Sequence, residues 1–563
     1  MDDVDAVQAQ IARNMLQSGD WVTARLDGVA YLEKAPLKYW TIATSFAIFG
    51  VHDWSARLPM ALFSILLCWI TARFAAWAFG ERAGLYAGLA ITTCIGLFLF
   101  TRILIPDATL TLAIALAMWA FLRALDADEP RPRLWAAVMA ASIAVGLLLK
   151  GLIAAVFPVG AGFVFLVATH RLFDRKTWHR LRPWSGLLII VAIAAPWHIL
   201  ATIRNPPYFA FTMKSGPGQY HGFFWFYFIN EHLLRFLNLR YPRDYNTVPR
   251  ALFWLLHLVW LFPFSVFLPA TFRLSYRPVD RAGRARLLAV CWIGFVLVFF
   301  TFSSTQEYYS MPCYPAFALL LGSAVETENR WVPVGRRILA GVAIAASIAI
   351  AVILAQVWNT PTPGDISQAL TQHPEEYTLS LGHMGDLTLT SFAYLRTPLI
   401  LAGIAFVVGA TGLLALKHRG ALLSAALMMV IFYQAARQAL IVFDPYLSSR
   451  PLANALLKAP TGTLIEDNAY YTFSSVFFYT NKRGLLWNGR KTNLEYGSYA
   501  PNAPDVFIDD GQFKTLWDSP QRCYLLIEGP RVNLAAAVVG RAELRTVMES
   551  GGKYLFTNHA GSD

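Results

Sequence analysis

Six short stretches of this sequence carry side chains able to do chemistry, and each lies beside an apolar run. Asp2, Asp3 and Asp5 place three carboxylates within four residues just ahead of a helical pattern. Carboxylates so close raise one another's pKa and can serve as a general base or hold a cation; they can equally be an acidic helix start that favours the macrodipole. Asp107 follows Pro106 at the head of an apolar run, where it is either a carboxylate facing the aqueous boundary or a helix cap. Lys34, Lys150 and Arg235 can grip a phosphate as point charge or fork, or reach out to lipid headgroups. His232 offers an imidazole and Glu33 an oxygen, so a divalent metal is one reading; a single His without a spaced second ligand is more often a hydrogen-bonding residue. Glu307, Tyr308 and Tyr309 complete the set. No G-x-x-x-x-G-K-[ST], G-x-G-x-x-G or H-E-x-x-H occurs, so neither nucleotide use nor zinc-protease chemistry is supported.

These stretches need elements to position them, and composition says what solvent those elements meet. Of 563 residues, 56% are hydrophobic and 15% charged, too apolar for a soluble globule. The net charge of +12 falls in short basic clusters between apolar runs, which fits membrane topology and excludes a nucleic-acid stripe. Five cysteines without metal-type spacing give no thiolate site and no disulfide framework. Runs near 57–80, 83–101, 106–125, 133–149, 151–170, 183–203, 250–273, 285–303, 309–325, 336–355, 397–416 and 420–440 predict about twelve spans, at about 20 residues each.

Loop charge orients them. Arg131 and Arg133, the group 171–182, the group 273–286, Arg330 to Arg337, and Lys417 with Arg419 share one face, which the positive-inside rule makes cytoplasmic. Every chemically capable stretch then lies outside, with 204–249, the loop 356–396 and everything after 441. Residues 5–18, 36–50 and 220–240 suit helices lying along the interface. The chain divides into an outer loop with the acidic motif (1–56), a transmembrane domain (57–443) and a small periplasmic α/β domain (444–563). In the last, TLIED, DVFIDD and CYLLIEG read as strands and VNLAAAVVGRAEL as a helix.

The run 11–40, with its core SGDW…L-x-G…Y-x-E-K-x-P-L-x-Y-W, resembles the first outer loop of the ArnT and protein O-mannosyltransferase superfamily of GT-C membrane glycosyltransferases. Further matches are Ala56-Arg57-Leu58-Pro59, Asp107, Lys150-Gly151, Glu231-His232 with Arg235, and EYYSMPCYPAFALLLG at 307–322. The last 120 or so residues resemble the outer domain of the ArnT branch more weakly. The resemblance implies an all-α polytopic GT-C fold of about thirteen spans, so one further span is expected ahead of Met1. It also shows departures. The family's Asp-Glu-x-x-Tyr falls without gaps on Val4, Asp5 and Gln8, leaving the acidic role to Asp3 or Asp5, and Lys-x-x-Tyr-Tyr becomes Thr305-x-x-Tyr308-Tyr309.

The function implied is inverting transfer of a sugar from a polyprenyl (undecaprenyl) phosphate donor at the periplasmic face of the bacterial inner membrane. The preferred acceptor is a lipid A phosphate, as in aminoarabinose transfer; a protein Ser/Thr hydroxyl is the alternative. Lys34, Arg235 and Lys150 would hold the donor phosphate, Tyr31, Tyr308 and Tyr309 would hydrogen-bond it or line the sugar, and Asp3 or Asp5 with Asp107 would orient the acceptor. A transporter is the rival class, but transporters keep their binding groups near the midplane on paired repeats.

Overall fold

The computed structural model of the chain describes residues 1–243, 247–371 and 382–559, so part of the loop 356–396 lies outside the described residues. Among these, eight single helices are long and apolar enough to cross a membrane: Asp53–Phe79, Asp107–Leu125, Pro132–Lys150, Arg175–Arg204, Arg281–Thr301, Trp331–Val357, Arg396–Ala415 and His418–Val442. A ninth span is possible if Arg250–Trp260 and Phe264–Thr271 count together, although they bend by 99°. The remaining three apolar runs become shorter pieces. Residues 83–101 break into Glu81–Thr92 and Ile95–Phe100, 151–170 yields Ile153–Ala168, and 309–325 begins as a 3-10 turn before Tyr314–Glu326. Hydropathy measures apolarity and not straightness, and inside protein a broken helix finds partners that lipid would deny it.

The stretches 5–18, 36–50 and 220–240 are helical as expected, with one surprise. Asp3–Ser18 is capped by the Asp2 carboxylate, which accepts from Asp5 N at 2.8 Å, and closes on Gly19 at φ 71°. Leu37–Phe49 follows. Between them a short antiparallel hairpin pairs β1 (Arg25–Leu26) with β2 (Val29–Ala30). In the third stretch Trp225–Leu234 winds as a π-helix, the wider coil that often marks functional sites.

The C-terminal region forms a six-stranded sheet from β3 (Thr463–Asp467), β4 (Leu485–Trp487), β5 (Phe507–Ile508), β6 (Cys523–Glu528), β7 (Arg545–Ser550) and β8 (Lys553–Thr557). Its order is β5-β4-β3-β6-β8-β7; the first four strands run parallel, β8 adds antiparallel to β6, and β7 adds antiparallel to β8. The three predicted strand runs are β3, β5 and β6.

This region is bolted to the start of the chain. The Asp3 carboxylate accepts from Ser475 N at 2.8 Å and from Ser449 Oγ at 2.8 Å, and Lys553 of β8 meets it at 2.6 Å. The catalytic role open to Asp3 in the sequence is thereby replaced by a structural one. Its oxygens are spent on four residues of the C-terminal half and its side chain is 8% exposed. Asp3→Ala leaves Lys553 and a buried amide without their acceptor, and breaking such a pair costs about 3 kcal/mol. The expected outcome is a clearly lowered melting temperature of the detergent-solubilised protein, with Asp3→Asn losing less; an unchanged melting curve for Asp3→Ala contradicts the clamp.

Candidate functional site

A cavity of about 360 Å³ opens where five of the six chemically capable stretches converge. Glu33, Lys34, Asp107, Lys150, Glu231, His232, Arg235, Tyr308 and Tyr309 all line it, although they are spread over 277 positions of sequence. Ile153, Val156, Phe228, Phe236, Phe299 and Phe300 form an apolar wall beside them. The cavity is therefore amphipathic, with an ionic half and a hydrocarbon half.

The ionic half is held by a network. Arg240, 1% exposed, donates from Nη2 to Glu33 Oε1 at 2.9 Å, from Nε to Glu231 Oε1 and from Nη1 to the Pro242 carbonyl at 2.6 Å. Glu231 also accepts from Arg235 Nη1 at 2.8 Å, and Arg235 Nη2 donates to Tyr309 Oη at 2.9 Å. Burial opposes the charge on Glu231, but Arg240, Arg235 and Lys34 outweigh it and hold its carboxyl at about 2. Lys150 pairs with Asp107 and lies over the rings of Tyr309 and Tyr308, at 4.8 and 5.4 Å from their centroids. The cap that sequence allowed for Asp107 is not formed: Pro106 takes that position without a side-chain bond, and the carboxylate turns to Lys150. Lys34 is the least engaged cation, with Glu33 Oε2 at 3.5 Å and a side chain 27% exposed.

Gly151 makes the approach of His232 possible. At φ +86° it takes a conformation that side-chain-bearing residues rarely adopt, and a Cβ there would lie 2.1 Å from His232 Nε2. His232 Nε2 accepts from Leu152 N at 3.0 Å, which leaves the ring proton on Nδ1, 2.5 Å from the Tyr227 carbonyl. Both nitrogens are thus spent on backbone, while Glu33 is taken by Arg240 and Lys34. Among the described residues no group of three or more His, Cys, Asp and Glu is placed to hold a metal ion. The pair Glu33 and His232 does not fit a metal, because its lone pairs are committed elsewhere.

Tyr31 and Asp5 stand behind the cavity and do not line it. Tyr31 Oη donates to Glu33 Oε2 at 3.2 Å and accepts from Asn493 Nδ2 at 3.3 Å, so it steadies Glu33 from the C-terminal side. Asp5 Oδ1 accepts from Leu104 N at 2.6 Å, and its other oxygen meets Arg57 at 2.5 Å. Burial, and then the Asp2 charge, push the Asp5 carboxyl up to about 7. Lys38 donates to the Leu104 carbonyl at 3.2 Å and to Gln8 Oε1 at 2.5 Å; burial, then Lys34, lowers it to about 7. The Leu104 peptide is therefore clamped on both sides, and the turn it begins delivers Ile105, Pro106 and Asp107 to the cavity.

Sequence reasoning passed over Arg240, Lys38, Arg57 and Gln8 as functional residues. Lys38 did carry a signal, a cation inside an apolar-aromatic helix. Arg240 merely closes the aromatic run 220–240, and nothing in its spacing announces its burial.

Residues 33–200 match the protein family described as Dolichyl-phosphate-mannose-protein mannosyltransferase. Over 331 residues the chain is 29% identical to the undecaprenyl phosphate-alpha-4-amino-4-deoxy-L-arabinose arabinosyl transferase 2 of Pseudomonas fluorescens, covering 56% of this chain. It spans about half (51%) of that relative's length. A similarly described transferase of Pectobacterium carotovorum is 24% identical over 523 residues, covering 90% of this chain and 84% of the relative. In fold, the chain is similar to the crystal structure of ArnT from Cupriavidus metallidurans bound to undecaprenyl phosphate, with a TM-score of 0.77 over 99% of this chain and 94% of that one, at 23% identity.

If the clamp on Leu104 positions Asp107, loosening it should slow turnover and leave substrate affinity nearly intact. Asp5→Asn and Lys38→Met are each expected to lower kcat about tenfold to a hundredfold, the scale of a misplaced group at a reacting centre, with KM within a factor of about three. Equal loss in KM would instead make Asp5 a substrate contact.

Proposed function

We infer that this chain, an ArnT-like protein of the GT-C fold, is a glycosyltransferase that moves a sugar from a polyprenyl phosphate to an acceptor at the outer face of the bacterial inner membrane. One observation carries the reading: a single cavity joins three cations and two phenols to a hydrocarbon wall. A ligand matched to it has an anionic head and an apolar tail, and a lipid-linked sugar phosphate has both.

The chemistry then follows from the placement. Lys34 and Arg235 meet the donor phosphate, and the charge that builds there as the glycosidic bond breaks is stabilised by cations already held in place. The leaving group is the lipid phosphate, which needs no proton. Tyr308 and Tyr309 steady the head through hydroxyls and rings, and Asp107 with Lys150 fixes the attacking group on the opposite face of the sugar, so that the anomeric centre inverts. Because the residues do not fit a metal, no step is routed through one.

The carboxylates bear on the acceptor. Glu231 is held at about 2, far too acidic to take a proton from a hydroxyl near neutrality, and Asp107 is locked to Lys150. Asp5, pushed into the range of a general base, lies outside the cavity. Such a site suits an acceptor that is already anionic. A lipid A phosphate fits that description better than a Ser or Thr hydroxyl, and aminoarabinose is the sugar that the described relatives suggest. A transporter reading finds no such support, since the charged groups gather in outer loops and helix ends.

Lys34 gives the direct test, because its donors are the least spent. Removing a charge-assisted contact from a preorganised site costs about a hundredfold to a thousandfold in rate. Lys34→Ala is expected to show that loss in transfer from synthetic undecaprenyl-phosphate sugar, and Lys34→Arg to recover part of it, at equal melting temperature. Turnover of Lys34→Ala above about a third of wild type would mean that the side chain only anchors the interface.

The outward orientation rests on the basic clusters at 171–182 and 273–286 lying opposite the cavity. A cysteine at exposed Glu543 should be labelled by an impermeant maleimide in intact spheroplasts, against a background of native cysteines that are buried or half-buried. Labelling only after lysis contradicts the topology.

A further inference from the structure

The C-terminal sheet has a second crevice that the transfer reading leaves unused. From β3 the chain moves outward to β4 and β5, then returns past β3 to build β6 on its other side. The order of succession reverses there, and in open parallel sheets ligands bind outside the carboxyl ends of the strands at such a reversal. A cavity of about 660 Å³ opens at this edge, large enough for a small ligand and lined mostly by polar groups. Each of the loops leaving β4, β5 and β6 contributes to it.

Its charges are unequally spent. Arg531, after β6, is matched by Asp467 at the end of β3, with Nη2 to Oδ1 at 2.8 Å and a second, shorter contact from Nε. Asp509 caps a helix by accepting from Gln512 N at 2.8 Å, and Asp510 accepts from Trp487 Nε1 at 2.8 Å. Among the described residues neither Arg490 nor Lys491, on the β4 loop, has a carboxylate within 4.0 Å. Arg490 lies over the Phe507 ring at 5.1 Å, which leaves its guanidinium edge open. Burial first, and then the Arg531 charge, lowers the pKa of half-buried Lys491 against the opposing pull of Asp467 and Glu528. Asn488, whose Nδ2 donates to Asp467 Oδ1 at 3.4 Å, and Asp509 line the same cavity, the first with an amide oxygen and the second with its other carboxylate oxygen suited to hydroxyls.

We propose that this crevice is a binding site for a phosphorylated saccharide, with Arg490 and Lys491 on the phosphate and Asn488 and Asp509 on sugar hydroxyls. The cavity is too roomy for phosphate alone. The ligand's chemistry is shared by a soluble sugar phosphate and by the headgroup of a phosphorylated glycolipid such as lipid A. The site is independent of the transfer cavity, so either reading can fail without the other.

Binding by the purified full chain in nanodiscs separates the possibilities. Calorimetric titration with glucosamine 1-phosphate, inorganic phosphate and glucosamine is expected to show the sugar phosphate bound at least about tenfold more tightly than either part. The double variant Arg490→Ala/Lys491→Ala, checked for an unchanged melting temperature, should weaken it about tenfold or more. Lys34→Ala, which alters the other cavity, should leave it unchanged, and Arg490→Lys/Lys491→Arg should retain most of it. Repeating the comparison with lipid A in the nanodisc tells the sources apart: a variant-sensitive signal for lipid A alone makes the ligand a membrane glycolipid, and one for glucosamine 1-phosphate alone makes it soluble. Wild-type affinity in the double variant for both, loss of binding in Lys34→Ala, or equal affinity for inorganic phosphate overturns the proposal.

Discussion

A charge removed from water must be met by an opposite charge or by hydrogen bonds, and the rest of this structure depends on how Arg240 satisfies that demand. Its guanidinium, 1% exposed, spans Glu33 of the first outer stretch and Glu231 of the π-helical turn. Each carboxylate is itself nearly buried, so removing Arg240 takes from both the buried charge they share, and breaking such a buried pair costs about 3–5 kcal/mol. The demand passes outward from Glu231 to Arg235 and from Arg235 to Tyr309. A chain of ionic contacts thus fixes three distant segments around one space and holds Arg235 on its wall.

The same constraint explains why the C-terminal region belongs to the site and is not an appendage. Tyr31 reaches Glu33 from one side and Asn493 from the other. Tyr241, next to Arg240, donates to Glu495 at 2.6 Å, and Tyr496 stacks on Phe226 of the π-helix with ring centroids 4.0 Å apart. Asp3 ties the first helix to β8, while Asp5, two residues on, ties that helix to the Leu104 turn. One helix therefore transmits the position of the C-terminal sheet to the loop that carries Asp107.

The two neighbouring carboxylates also show where spacing stops being informative. Asp3 and Asp5 were interchangeable in sequence, and a shift of one residue in the family motif would have chosen either. On a helix, positions two apart point about 200° away from each other. Asp3 accordingly faces Ser449, Ser475 and Lys553, and Asp5 faces Arg57 and Leu104, with neither reaching the cavity.

What the sequence determined by itself was the solvent and the segments that gather at the site. Long apolar runs admit only a bilayer, and ionisable groups beside spans are too costly to be idle, so the stretches around Glu33, Asp107, Lys150, Glu231 and Tyr308 were legible as a site before they were seen together. The strands TLIED and CYLLIEG were legible for a similar local reason, their short apolar runs being bounded by turns. The tertiary structure alone decided which apolar runs stay straight, because a break in a helix is tolerated only where neighbouring protein satisfies the backbone. It also decided that Asp107 meets Lys150 instead of capping its helix, that His232 spends both nitrogens on backbone, and that Arg240 and Lys38 are buried partners. Those outcomes depend on groups brought within a few ångströms from positions as much as 207 residues apart, and no local pattern records which partner will be waiting.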